Sequence, residues 1–459
     1  MASSSPIKNS SPARQYAPIV LILIAYLLAG TLYAVYTPDW QAPDEPAHYN
    51  YIRQLADGRF PIMQPGDYDQ AYQEQVVGSA FDPQYSVATF EYEDYQPPLY
   101  YLLESPVFLL FDGAIRPLRL LSVLFGAGIV LLAYLIAQRL FPTQSWLWPT
   151  TAAFVAFVPQ HVAMLAAINN DSLAELLIAA ILYTIIRISS AERPSNHQLV
   201  ALGILMGLGF LTKATVYLMV PVIGLYLLWT NWREWRPFFR QAVVTFGVAG
   251  LIGLPWWLRN VGVYGGVDIL GIFAHNGIVT GQPTTAEWIT NYGLGFTIRH
   301  LFQTTFQSFW GQFGWMGVVM RPWVYQPLLL FTVLTIIGLT LFFWQRKGER
   351  SSLMKTAALE RPTMQSGGIY FAILAGTFAL SLILFLTYNL TFVQHQGRYL
   401  FPGLIPIAIA VALAWTTLIQ PLSNRWKTAV YLIPLGLALA LFGLDLLALF
   451  RFIIPAFNG

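Results

Sequence analysis

The stretch QAPDEPAHYN, residues 41–50, sets two adjacent carboxylates, Asp44 and Glu45, between two prolines, with His48 three positions further on. It follows directly on a long apolar segment. A carboxylate at the mouth of an apolar bundle is partly desolvated, which favours its protonated form and lets it take a proton near neutral pH. The pair therefore offers general-base chemistry. The same residues also read as the start of a helix, because Ala47, Tyr51, Ile52 and Leu55 recur at helical spacing. On that reading Asp44 or Glu45 caps the first turn, Pro46 lies within it, and Gly58 closes an amphipathic helix on a membrane surface. His48, one turn beyond Asp44 and on its face, can tune the carboxylate or share a metal ion with it, although two ligands alone do not define a metal site.

Cations that could face such a base are few. Lys213 sits inside the apolar run 199–230, and a charge at the bilayer centre costs about 2.5–3.5 kcal/mol, so it needs a cavity and a partner. Arg398, in HQGRYLFP, has a planar fork suited to a phosphate, and His395 stands beside it as a second donor. Arg259, in LRNVGVYG, ends another apolar run, and Asp171 follows Asn170 in INNDSL. Each has a plainer reading: a snorkelling or interfacial anchor for Lys213, Arg398 and Arg259, a solvated loop histidine for His395, and a helix cap for Asp171.

The elements that must position these residues are membrane helices. Of 459 residues, 56% are hydrophobic and only 10% charged, too apolar a surface for a soluble globule. Runs long enough to cross a bilayer lie near 17–37, 117–138, 147–168, 172–188, 199–230, 241–258, 324–344, 369–390, 399–419 and 428–450. The run 199–230 is too long for one span. Read as a hairpin with Lys213 at its tip, it leaves fifteen of the twenty-five basic residues on one side, including every short basic loop. Read as one helix, it puts RKGERSSLMKTAALER and NRWK outside, against the positive-inside rule. The hairpin predicts an all-α polytopic membrane protein of about eleven spans, with the first an uncleaved anchor, the N-terminus cytoplasmic and the C-terminus outside. Two large outer loops follow, 38–115 with juxtamembrane helices and 259–323 with interfacial tryptophans, and a cytoplasmic loop at 345–368. The first outer loop holds thirteen of the twenty-two acids. Chemistry is expected on the outer side.

Other functions are disfavoured by what is missing. There is no cysteine for a disulfide or thiolate site, no glycine-rich phosphate loop and no His-Glu-x-x-His helix. Basic residues are dispersed, which argues against nucleic acid. No internal repeat or pair of broken helices marks an inverted-repeat transporter.

The acidic pair after the first span, the juxtamembrane helices and the second large loop resemble the GT-C superfamily of polyprenyl-phosphate-dependent glycosyltransferases, among them protein O-mannosyltransferases and lipid A aminoarabinose transferases. PDEPAHY (43–49), YQPPLYYLL (95–103), INNDSL (168–173), SFWGQFGW (308–315) and HQGRYLFPGLIP (395–406) are similar, more closely still, to a group of bacterial inner-membrane proteins placed in that superfamily. The resemblance implies a single GT-C-like transmembrane domain over 1–459 that transfers a sugar from a polyprenyl-phosphate donor, with inversion, to an acceptor that is a protein, a lipid or a glycan. Asp44 matches the superfamily's catalytic acid; Glu45 is the next candidate, orienting the acceptor or holding a divalent cation, Mg or Mn, where a member uses one. Lys213 and Arg398, with His395 and Arg259, would face the donor phosphate, and His48 and Asp171 would be accessory. An oligomer is compatible with all of this. The competing class is a lipid or saccharide transporter, or a surface-polymer assembly component that keeps the fold without the reaction. A polymer ligase with a diphosphate donor calls for more cations in the outer loops than this chain has.

Overall fold

The computed structural model describes residues 12–189, 194–356 and 364–457. Lys8, Arg193 and Arg361, three of the fifteen basic residues on the expected cytoplasmic side, lie outside the described residues, as does 357–363 within the expected cytoplasmic loop. Helix α1 (Pro12–Tyr36) is the first span, and its Gly30 lets it close on Val123 of a later helix. The first loop then folds into α2 (Glu45–Ala56), α3 (Gln70–Gly78) and α4 (Leu99–Leu110). A long helix α5 (Ile115–Leu140) follows. The expected span 147–168 is instead two helices, α6 (Leu147–Phe157) and α7 (Pro159–Leu165). Pro159 explains the break: it has no N–H for the preceding turn and suits the first position of a new helix. Next come α8 (Asp171–Ile188), α9 (Asn196–Phe210), α10 (Met219–Thr230) and α11 (Trp235–Tyr264).

The second loop holds α12 (Ile272–Ile278), α13 (Thr285–Tyr292), α14 (Leu294–Trp310) and a hairpin of β1 (Gln312–Phe313) with β2 (Val318–Val319). The chain closes with α15 (Pro322–Thr356), α16 (Met364–Thr391), α17 (Leu404–Ser423), α18 (Leu432–Ala448) and the short α19 (Ile454–Phe457). Among the described residues seven helices are long and apolar enough to cross a membrane. With the shorter apolar helices, these are compatible with about eleven spans. The main buried core is shared by α1, α5, α6, α8, α9, α10, α17 and α18.

The ambiguous run 199–230 does turn back on itself. Gly203 of α9 lies against Thr245 and Val248 of α11, Gly207 against Ile252, and Phe210 against Gly253. Both helices therefore advance in the same direction at the same depth. Parallel neighbours joined by a single intervening helix require that helix, α10, to run the other way. Lys213 sits at the turn, just before a 3-10 segment, Ala214–Leu218. Small residues make the close approach possible, as expected for helices that cannot use the hydrophobic effect to associate in lipid.

Helix α2 departs from its expected place. Not only Ala47, Tyr51 and Ile52 but also Glu45, His48, Asn50 and Gln54 are buried. It packs against α4 and beneath the loop 86–96 instead of lying on a surface, because its polar side chains find partners there: Asn50 Nδ2 donates to the carbonyls of Val87 and Phe90, and Gln54 Nε2 to Asp94 Oδ2.

Candidate active site

Asp44 occupies the residue before α2 in the left-handed conformation, φ 67° and ψ −4°, and its side chain makes no capping bond to the helix. For a residue with a Cβ this conformation costs of order 1–3 kcal/mol, so something must hold it. Glu45 supplies the hold. Its carboxylate is wholly buried and takes Arg119 of α5 bidentately, Nε to Oε1 at 2.7 Å and Nη2 to Oε2 at 2.6 Å. The amide N–H groups of Trp40 and Ile168 also donate to it, at 3.1 and 3.2 Å. Arg119 turns its remaining N–H groups to the carbonyls of Ala34, Thr37 and Pro38, where α1 ends. A cation there satisfies the orphan carbonyls of a helix C-terminus. One buried ion pair thus ties the end of α1 to the start of α2, and Asp44 is the turn between them.

The Asp44 carboxylate, 27% exposed, points away from that pair. Nη2 of Arg398 donates to Oδ2 at 3.0 Å and the Tyr92 hydroxyl to Oδ1 at 3.2 Å. Arg398 lies in a 3-10 segment, Gly397–Gly403, leading into α17. Its Nε donates to Gln396 Oε1 at 2.7 Å, and its guanidinium sits 5.3 Å from the centre of the Tyr399 ring. Gly397 brings this segment against α14: a Cβ there would lie 2.4 Å from the Phe309 nitrogen and the Thr305 carbonyl oxygen.

A second ion pair adjoins the first. Nζ of Lys213, at the hairpin tip, is 2.7 Å from Oδ1 of Asp171, the first residue of α8. Asn170 donates to the Thr212 carbonyl and Leu99 N–H to the Leu211 carbonyl, so α8, the hairpin tip and α4 meet here. Both pairs keep partly exposed carboxylates, and His48, Glu93, Asp171 and Arg398 each feel charges from both. The structure therefore brings together Asp44, Arg398, Lys213 and Asp171, residues from four remote stretches of sequence.

The other residues singled out from sequence have different surroundings. His48 is buried, with Nδ1 2.8 Å from the Tyr101 hydroxyl; burial, then the Lys213 charge, lowers it to about 3, so it is neutral. His395 turns to His300 of α14, Nδ1 to Nδ1 at 2.8 Å, under Trp288, and not to the Arg398 guanidinium; burial and His300 lower it to about 4. Arg259, on α11 and not in a loop, donates to Asn260 Oδ1 at 2.9 Å and to the Pro61 carbonyl, over the rings of Trp256 and Phe60. It pins the first loop to α11. Sequence reasoning missed Arg119, Tyr92 and Glu93. The last two sit in EYEDYQPPLYY, just before a motif already noted, YQPPLYYLL.

A divalent cation does not fit these donors. Among the described residues no three His, Cys, Asp or Glu side chains converge to hold a metal ion. Asp44 and Asp171 each face a cation already, and both oxygens of Glu45 are taken by Arg119.

Residues 95–257 match a family model described as dolichyl-phosphate-mannose-protein mannosyltransferase, a segment that contains Asp171 and Lys213 but neither Asp44 nor Arg398. Two curated relatives, the undecaprenyl phosphate-alpha-4-amino-4-deoxy-L-arabinose arabinosyl transferases of Pseudomonas paraeruginosa and Pseudomonas aeruginosa, are 31% and 29% identical over 150 residues. That is 30% of this chain and 26% of each relative, so the chain spans about a quarter of the curated relatives it matches. The oligosaccharyltransferase of Archaeoglobus fulgidus superposes with a TM-score of 0.52 at 14% identity, over 98% of this chain and 55% of that one. ArnT from Cupriavidus metallidurans, bound to undecaprenyl phosphate, gives 0.47 at 13% identity, over 95% and 73%. By its helices, its spans and the superposition on the Archaeoglobus fulgidus enzyme, the chain is a multi-pass membrane protein with the GT-C fold, and over residues 95–257 it is similar to the dolichyl-phosphate-mannose-protein mannosyltransferase family.

Proposed function

We propose that this protein transfers a glycosyl group from a polyprenyl-phosphate donor to an acceptor on the outer face of a bacterial inner membrane, inverting the anomeric centre, with Asp44 as general base. One observation carries the reading: a partly exposed carboxylate, fixed in a strained turn by a separate buried ion pair, meets Arg398 from the 3-10 segment before α17, with a second carboxylate–cation pair, Asp171 and Lys213 of the hairpin tip, close enough for the charges of both pairs to act on Arg398 and Asp171.

The chemistry follows from those groups. The acceptor hydroxyl or amide gives its proton to an Asp44 oxygen as its own oxygen or nitrogen attacks the anomeric carbon from the face opposite the phosphate. The bond from that carbon to the phosphate oxygen breaks, and its electron pair leaves with the polyprenyl phosphate. A phosphate ester is already a good leaving group, so charge compensation is the remaining task. Arg398 and Lys213 serve it, each released in part from its carboxylate when the phosphate arrives. Tyr92 and Arg398 hold the Asp44 carboxylate in place until the acceptor replaces part of that contact. The orientation with the N-terminus inside, from the count of basic residues, puts this end of the bundle outside.

The test is transfer by purified protein in lipid nanodiscs, using undecaprenyl-phosphate-linked sugars and a membrane extract as acceptor source. Asp44→Asn should fold, bind donor and lose about 10²- to 10⁴-fold in rate. The product's anomeric configuration, read by NMR, should be opposite to the donor's. A transporter or scaffold on this fold would give no acceptor-linked product with the wild-type protein, and that outcome would sink the reading.

A further inference from the structure

Glu93 is the one carboxylate of the site without a cation of its own. Asp44 has Arg398 and Asp171 has Lys213, whereas among the described residues Glu93 has only an amide: Nε2 of Gln96 donates to its Oε2 at 2.8 Å. Gln96 is itself fixed, because the same nitrogen donates to the Tyr95 hydroxyl at 3.0 Å and its main-chain carbonyl accepts from the Tyr51 hydroxyl at 3.0 Å. The Glu93 carboxyl is thereby aimed, and it is only partly buried. The preceding residue, Tyr92, donates its hydroxyl to Asp44 Oδ1 at 3.2 Å, which places Glu93 one residue from a group that touches the base, and the charges that act on it most are Asp44, then Lys213 and Asp171. Tyrosines adjoin it: Tyr92 precedes it, and the Tyr95 hydroxyl shares Gln96 Nε2 with its carboxylate.

The reaction proposed above fixes what must occupy that space. The transferred glycosyl group has to bridge the acceptor, at Asp44, and the phosphate, at the cations. A carboxyl oxygen with spare lone pairs, among tyrosine faces, is complementary to a sugar: polar substituents donate to the acid while the apolar ring face packs on the aromatics. We propose that Glu93 is a sugar-binding residue that accepts hydrogen bonds from hydroxyl or amino substituents of the donor's glycosyl group. The assignment rests on the transferase reading. Burial and the Asp44 charge push Glu93 up to about 8, against the lowering effect of Lys213 and Gln96. Its acceptor strength, and hence the preference for sugar, should grow as the pH rises through that value.

The experiment compares binding of three lipids to protein in nanodiscs: undecaprenyl phosphate alone, the same lipid carrying mannose, and the same lipid carrying 4-amino-4-deoxyarabinose. Wild-type protein should bind one sugar lipid more tightly than the bare phosphate, and which one distinguishes hydroxyl from amino recognition. Glu93→Gln should bind the bare phosphate as wild type does, which also reports on folding, yet lose about tenfold or more for the sugar lipid. Between about pH 7 and 9 the wild-type preference should rise, and in Glu93→Gln it should stay flat. Equal affinity of wild type and Glu93→Gln for the sugar lipid, or equal loss on all three lipids, overturns the assignment while leaving the transferase reading standing. Wild-type protein that prefers no sugar lipid overturns both.

Discussion

Glu45 and Asp44 are neighbours with opposite fates, one sealed in the interior and the other facing the site. With the side chains of Glu45 and Arg119 at 0% and 1% exposure, removing either partner leaves an uncompensated charge in a dry interior. Glu45→Gln should therefore destabilise the protein by about 3–5 kcal/mol, measured by denaturant unfolding in micelles. It should also slow transfer, because the turn holding Asp44 loosens, and an unchanged midpoint would show that the pair holds nothing. His395 gives a prediction in pH. Its folded value of about 4 lies below the ordinary 6.5, so the fold holds it neutral while the unfolded chain takes up a proton first. The stability it contributes is present above about 6.5 and fades as the pH falls toward 4. His395→Gln should flatten that acid limb in thermal unfolding scans. Asp44 was legible because two acids between prolines at the edge of an apolar run have few uses. Arg119 was not, since an arginine in IRPLRLL reads as an ordinary interfacial anchor until its carboxylate partner, 74 positions away, is seen.

At the level of elements, glycines decide which helices can touch. Gly397 has no room for a side chain against α14, and its N–H donates to Ser308 Oγ at 2.7 Å. Gly397→Ala must push the 3-10 segment off the helix and carry Arg398 with it. Transfer should fall at least about tenfold, since a shift of about 1 Å in a positioning group already costs that much or more. Cross-linking between cysteines introduced at residues 305 and 396 would report the displacement directly; full activity with unchanged cross-linking would refute the argument. Much of the element pattern could be read in advance. Apolar runs gave the spans, and the basic-residue count gave the hairpin at Lys213, later seen as α10 returning between two parallel helices. The inward burial of α2 could not, because its polar residues resemble a solvated face. Only the loop 86–96, folding over them, supplies the partners that make burial affordable. The break at Pro159 was missed because apolar composition continues through it.

Taken as a whole molecule, the first loop is fastened at several points to remote parts of the chain. Trp315, after β1, donates its indole N–H to the Trp40 carbonyl at 2.9 Å, beside the Asp44 turn, and Arg259 grips Pro61 from α11. Both large loops and the hairpin tip thus converge at one end of the bundle. The membrane helices were accessible from composition and apolar runs, and the GT-C likeness from short motifs; this convergence was not, because contacts over hundreds of positions leave no local trace. The contact between Asp44 and Arg398 spans 354 positions. During synthesis the early helices are therefore inserted long before the residue that completes their charge is made. Nascent chains stopped anywhere before Arg398 carry Asp44 without the guanidinium that meets it in the finished fold.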